Sequence, residues 1–219
     1  MGFVKILVVD DHPLMRDALC NAVNLEPDLD VIAEVSSGEE ALAVFEELAA
    51  DVIIMDLGLP GISGFEAIQE ILRRDPDAKI LVNTSMEDEE RILAAVQAGA
   101  LGYYPKTAPR AYLLEAIRKV ADGVPYMPMG ITKKLFQGIR KWQAPSDNPS
   151  PKTLLTDRQE EVLMLLAEGC SDAEIAASLS LSLPTVRSHV HHIKQRVGVA
   201  SRVQLVAYAH KRDTLAGDP

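Results

Sequence analysis

Five short apolar runs alternate with helical stretches through the first 121 residues, and this alternation restricts the fold more than any other feature of the chain. The runs are Val4–Val9, Val31–Val35, Val52–Met55, Lys79–Thr84 and Gly102–Tyr104. Helical periodicity fills the intervals at Pro13–Leu25, Gly38–Ala49, Gly64–Arg74, Glu87–Ala98 and Pro109–Ala121. Runs this short and apolar on both faces belong to a parallel sheet, because its crossover helices bury both of its surfaces. The pattern predicts a doubly wound, flavodoxin-like α/β domain with a five-stranded parallel sheet.

Such sheets bind ligands beyond the carboxyl ends of their strands. Asp10 and Asp11 close the first run and Asp56 closes the third. One acid there is ordinarily a solvated cap. Three gathered at one edge repel each other unless a divalent cation neutralises them, which points to a hard-cation site with Mg²⁺ as the candidate. Thr84 ends the fourth run, and Lys106 follows Gly102-Tyr103-Tyr104-Pro105. A hydroxyl and an ammonium added to the same edge provide what a phosphoryl group requires.

Beyond residue 121 the pattern changes. Gly123-Val124-Pro125 stops the last helix, and Gln143–Pro151 has the Pro/Ser/Asn/Asp composition of a flexible tether. Ile131, Leu135, Ile139 and Trp142 share a helical face and predict a short linker helix, weakened by Gly138. From Leu154 onward all periodicity is helical. Thr156 and Gln159 form a capping box, Ser171 caps a helix over Asp172–Leu179, and Ser182 caps one over 183–197 with Pro184 in its first turn. A last helix runs from about Arg202 to Ala209. The tight Ser180-Leu181-Ser182 connection makes the middle pair a helix-turn-helix within an all-α, four-helix domain. The expected division is a first domain over 1–121, a linker over 122–152 and a second domain over 153–212.

Charge follows the same division. The chain carries a net −10. Residues 1–150 contain 14 Lys+Arg against 24 Asp+Glu, whereas the remainder balances at 8 and 8 and contains four of the five histidines. An acidic module is therefore joined to a neutral one with a local basic patch. His189, His191 and His192 scatter around their helix, so they form no shared metal site. Two distant cysteines, Cys20 and Cys170, supply neither a disulfide framework nor a thiolate site, which fits a reducing cytoplasm. No apolar run has membrane-spanning length, and no signal-peptide architecture precedes the first strand.

Taken together, the chain resembles a two-component response regulator of the NarL/FixJ class, with a receiver domain followed by a LuxR-type helix-turn-helix. The resemblance rests on Val8-Val9-Asp10-Asp11-His12-Pro13, on Met55-Asp56-Leu57-Gly58-Leu59-Pro60-Gly61-Ile62-Ser63-Gly64, and on Thr84 and Lys106. In the second domain it rests on Leu155-Thr156-Asp157-Arg158-Gln159, Glu174-Ile175-Ala176 and Thr185-Val186-Arg187-Ser188-His189-Val190. It implies that Asp56 accepts a phosphoryl group from the phosphohistidine of a sensor histidine kinase. It also implies that Asp10, Asp11, Asp56 and the Gly58 carbonyl hold Mg²⁺, and that Lys106 and Thr84 contact the phosphoryl oxygens, with the small Ser85 leaving room. Tyr103 takes the aromatic switch position, against the plainer reading of a strand aromatic packed on the adjoining helix. The protein would be no enzyme in the ordinary sense, but a phosphoacceptor that takes part in its own phosphotransfer and dephosphorylation.

The resemblance makes 183–197 the recognition helix. Arg187, Ser188 and His191 share one face and would read base edges of double-stranded DNA in the major groove, Arg187 by a bidentate bond to guanine. Ser182, Thr185 and Lys194 would contact phosphates, while Val186, Val190, Ile193 and Val197 follow core spacing. A homodimer forming on phosphorylation, joined on DNA by the Arg202–Ala209 helix, would match symmetric half-sites. Three departures stand out: the acidic or neutral Ser171-Asp172-Ala173 where a basic residue is usual, histidines in the recognition helix where Lys is frequent, and Gln159 in place of Glu. A first alternative is an aspartyl-phosphate hydrolase, but its acids would lie two apart on the first strand. A second is a regulator that no longer uses phosphate, but it would ordinarily lack one of the three acids, the hydroxyl or the lysine.

Overall fold

Strand alternation sorts the apolar residues of the first domain into two cores. Leu7, Val9, Ile53, Met55, Ile80, Val82 and Tyr103 face one side of the sheet, and Ile6, Val8, Val52, Ile54, Leu81 and Tyr104 face the other. The computed structural model describes residues 3–85, 89–127, 155–199 and 201–216. Strands β1 (Val4–Val9), β2 (Leu29–Val35), β3 (Val52–Met55), β4 (Ile80–Thr84) and β5 (Gly102–Pro105) form one parallel sheet in the order β2-β1-β3-β4-β5. Order reversal at β1 and β3 opens the crevice in which this topology places its ligands.

Helices α2 (Gly38–Leu48), α3 (Gly64–Arg74) and α4 (Glu89–Ala98) cover the first core, and α1 (Pro13–Asn24) and α5 (Arg110–Ala121) cover the second. Local chemistry sets their ends. Ser37 accepts the Glu40 N–H at the start of α2, and Ser63 and Glu66 form a reciprocal capping box on α3. The expected linker helix lies outside the described residues.

The second domain has its own core, built from α6 (Asp157–Ala167), α7 (Asp172–Leu179), α8 (Leu183–Val197) and α9 (Arg202–Ala216). Capping boxes at Thr156/Gln159 and Ser171/Glu174 start the first two, so Gln159 supplies the cap without the usual Glu charge. Ser180 takes a left-handed conformation at the turn into α8, at φ 53°. Val186, Val190 and Ile193 are buried as their spacing predicts, and Val197 packs partly against them. Helix α9 extends beyond the expected Ala209 and past residue 212, and Arg212 pairs with Glu160 to tie this extension to α6.

Candidate functional site

Asp10 immediately follows β1, Asp56 immediately follows β3 and Lys106 follows β5. Both acids are almost fully buried. The Lys106 ammonium reaches across the sheet edge to lie 2.6 Å from Asp56 Oδ2, as a hydrogen bond, and 2.6 Å from Asp10 Oδ2, as an ion pair. Apart from this ammonium, the buried Asp10 Oδ2 meets no donor among the described residues. Burial opposes the charge on Lys106, but the two carboxylates outweigh it and hold its pKa above the usual lysine value.

Asp11 sits at the rim, where the His12 Nδ1 lies 2.6 Å from its Oδ1. The His12 backbone N–H also donates to Asp10 Oδ1 at 2.9 Å, and Arg16 donates to the Asp10 carbonyl at 2.8 Å. The loop after β3 is fixed internally by the Gly58 N–H, which donates to Asp56 Oδ1 at 3.1 Å. Thr84 is buried at the end of β4, and its carbonyl accepts the Lys106 N–H at 3.1 Å. Tyr103 is buried in the core that includes Ile92 and Ala95 of α4.

Ligand atoms of Asp10, Asp11, His12 and Asp56 all lie within 4.8 Å of one another. An oxygen-rich cluster of this kind suits a hard divalent cation, and Asp10 Oδ2, met at rest by the Lys106 ammonium alone, is an atom such an ion would take over. Sequence reasoning did not assign Gly64 a role of its own. A Cβ there would overlap the Asp56 carbonyl and come within 2.7 Å of its carbon, so only glycine lets α3 start this close to the Asp56 backbone.

The expected DNA residues all lie on or beside α8, but the receiver covers part of this face. Ser182 caps the helix by accepting the Thr185 N–H at 3.3 Å, and Ser188 is exposed. His191 pairs with Gln195 at 2.9 Å. Arg187 faces Asp172 at 3.7 Å. Lys194, expected at DNA phosphates, is instead buried against the first domain, where it donates to the Pro76 carbonyl at 3.4 Å and lies 3.9 Å from Asp77. Gln204 of α9 reaches the Gln97 carbonyl of α4 at 3.2 Å. Between the domains lies a cleft of about 340 Å³, into which Lys79, Arg187, Lys194 and Arg202 face alongside Asp77 and Asp172. Burial, followed by the nearby Arg187 guanidinium, pulls the Lys79 ammonium below the usual lysine pKa.

Comparison with known proteins agrees with this geometry. Residues 6–118 match the response regulator receiver domain, and residues 153–209 match the bacterial regulatory proteins of the luxR family. The transcriptional regulatory protein LiaR of Bacillus subtilis is 36% identical over 208 residues, covering 95% of this chain and 97% of its own. The oxygen regulatory protein NreC of Staphylococcus aureus is 36% identical over 215 residues, covering 97% and 99%. Among solved structures, the response regulator ChrA of a heme-sensing two-component system aligns over 97% of this chain and 99% of its own, at 29% identity and TM-score 0.53. The RcsB–DNA complex, at 24% identity and TM-score 0.58 over 94% and 98%, shares the fold. The chain belongs to the two-component response regulators. Within them it is of the NarL/FixJ class, a phosphorylation-controlled transcription regulator with a LuxR-type DNA-binding output domain. None of the described helices is long and apolar enough to cross a membrane.

Proposed function

We propose that Asp56 is the phosphoacceptor of this regulator and that a sensor histidine kinase supplies its phosphoryl group. The reading is carried by the Lys106 ammonium held between the buried Asp10 and Asp56 carboxylates at the sheet's carboxyl edge. In the transfer, an Asp56 carboxylate oxygen attacks phosphorus, the P–N bond of the donor phosphohistidine breaks, and imidazole leaves with the electron pair. Asp56 loses its negative charge as the acyl phosphate forms, and Lys106 follows the charge onto the phosphoryl oxygens. Thr84 donates a hydrogen bond to another of them, and Tyr103 repacks as the switch aromatic. Asp10, Asp11, Asp56 and the Gly58 carbonyl would hold Mg²⁺, which when bound neutralises charge on the phosphoryl oxygens. In dephosphorylation, water attacks phosphorus and the acyl O–P bond breaks, returning carboxylate and phosphate.

The proposed division is a receiver over 1–121, a linker over 122–152 and an output domain over 153–212. In the output domain, α8 enters the major groove, with Arg187, Ser188 and His191 at base edges and Ser182, Thr185 and Lys194 at phosphates. Phosphorylation releases α8 from the receiver and favours a homodimer on double-stranded DNA in the cytoplasm. The buried position of Lys194 supports this order of events, because DNA and receiver compete for one side chain.

The deciding experiment uses a small-molecule phosphodonor with Mg²⁺. Labelling of the parent chain is expected to disappear in Asp56→Asn, which retains the shape of the side chain without its nucleophile. Labelling of that variant at the parental rate would place the acceptor elsewhere.

A further inference from the structure

Asn83 is the anomaly of the first domain. It lies on β4, is 1% exposed, and neither its Oδ1 nor its Nδ2 has a hydrogen-bond partner among the described residues. A buried amide with both ends unmet destabilises the fold, so such a group in a well-packed sheet calls for an explanation.

Strand register supplies the explanation. Val8, Ile54 and Leu81 are neighbours in register across β1, β3 and β4; two residues on come Asn83 in β4 and Asp10 and Asp56 just past the ends of β1 and β3, where the ladder continues through the Asp56 N–H donating to the Val9 carbonyl at 2.9 Å. Side chains two apart on a strand share a face. Asn83 therefore occupies the same row and face as the two buried acids, one strand beyond Asp56. It pairs in register with Tyr104 of β5, after which Lys106 follows two positions later. Lys106 starts at β5 and touches Asp56 and Asp10 on β3 and β1, so its side chain must cross β4 to reach them. Asn83 lies at that crossing.

We propose that Asn83 is a further residue of the phosphoryl site, unpartnered at rest and satisfied only when Asp56 is phosphorylated. Its Nδ2 donates to a phosphoryl oxygen and its Oδ1 accepts from the Lys106 ammonium as that group leaves Asp10 and Asp56. The amide thereby favours the phosphorylated state twice, since its unmet groups destabilise the resting protein and its new bonds stabilise the modified one. This rests on Asp56 being the acceptor, and the test separates the two claims.

The test compares the full chain with Asn83→Val and Asn83→Leu, following receiver unfolding with and without beryllofluoride and Mg²⁺, the beryllofluoride standing for the phosphoryl group. At rest, both variants should melt higher than the parent by about 2–8 °C, because an unmet buried amide is replaced by apolar groups. In beryllofluoride their stabilisation should fall below the parent's, with apparent affinity about tenfold weaker. In the parent, the Asn83 side-chain amide NMR signals should shift when beryllofluoride binds. Equal beryllofluoride affinity in parent and variants would overturn the proposal, as would resting variants that melt lower than the parent. If the parent itself gave no response that Asp56→Asn abolishes, the acceptor assignment would fail instead.

Discussion

Replacing Lys106 with methionine tests the electrostatic logic of the site most directly. The ammonium contacts Asp10 and Asp56 at 2.6 Å each, and all three side chains are nearly inaccessible to water. Methionine preserves most of the apolar stem and removes the charge. Two carboxylates then remain with ligand atoms no more than 4.8 Å apart. At an effective dielectric constant of about 20, their repulsion is about 3 kcal/mol, similar to the usual cost of stripping one partner from a buried ion pair. In a chain of this size that lowers the melting temperature by roughly 6–12 °C. The assay is thermal unfolding of the parent, Lys106→Met, Asp56→Asn and the double variant. Asp56→Asn removes one of the repelling charges, so the double variant should recover most of the loss and give a coupling of about 3 kcal/mol. Mg²⁺ should stabilise Lys106→Met more than the parent, because no ammonium then competes for the same oxygens. Additive losses in the double variant, or equal Mg²⁺ stabilisation of parent and Lys106→Met, would refute the picture of lysine as the resting counter-ion.

Gly64→Ala should destabilise the receiver by more than about 3 kcal/mol in denaturant unfolding, since the new methyl overlaps the Asp56 backbone with no flexible neighbour to yield. Arg73 and Arg74 hold the Glu70 carboxyl at about 2, below its ordinary 4.5; its contribution is complete above pH 4.5 and lost as pH falls toward 2. The melting-temperature difference between parent and Glu70→Gln should therefore close over that window. A fragment beginning at residue 151 keeps the whole core of the output domain and should bind DNA without a phosphodonor, measured by fluorescence anisotropy against the unphosphorylated full chain.

Much of the receiver was legible because its signals are local and periodic. Short runs apolar on both faces marked β1, β3 and β4 as buried parallel strands, and Asp10, Asp11 and Asp56 stood out as polar residues ending apolar runs. What escaped was whatever depends on distance across the fold. Nothing beside Lys106 in the chain announces that it spans to both Asp10 and Asp56. Asn83 looks like an ordinary polar residue in a strand until its neighbours in the row are known. Gly64 looks like a helix start, and only the path of the Asp56 backbone shows that no side chain fits there. Lys194 could be placed on the recognition helix by periodicity, but its partner at Pro76 lies in the other domain, beyond the reach of any local pattern.

Asp172 shows how a departure from a family pattern acquires a different meaning in three dimensions. As a sequence feature, an acid at the start of α7 weakens attraction to DNA phosphate. In the fold it is buried, accepts Arg202 at 2.5 Å and faces Arg187 at 3.7 Å. The Arg202 contact lies within the output domain and survives any domain movement. The Arg187 contact also lies within the output domain; it is long and the arginine side chain is 50% exposed, so it contributes at most about 1 kcal/mol and does not tie α8 to the receiver. Lys194 is the more decisive group. Its ammonium is buried at the receiver with one long bond to a carbonyl and, among the described residues, no acid closer than 3.9 Å, an incomplete exchange for the water it gives up. Among the described residues, the two domains are therefore joined at α8 without a strong polar clasp. Phosphorylation needs to supply only about 1–3 kcal/mol at the α4 surface contacted by Gln204 to shift the balance, which falls in the ordinary range of coupling between two sites.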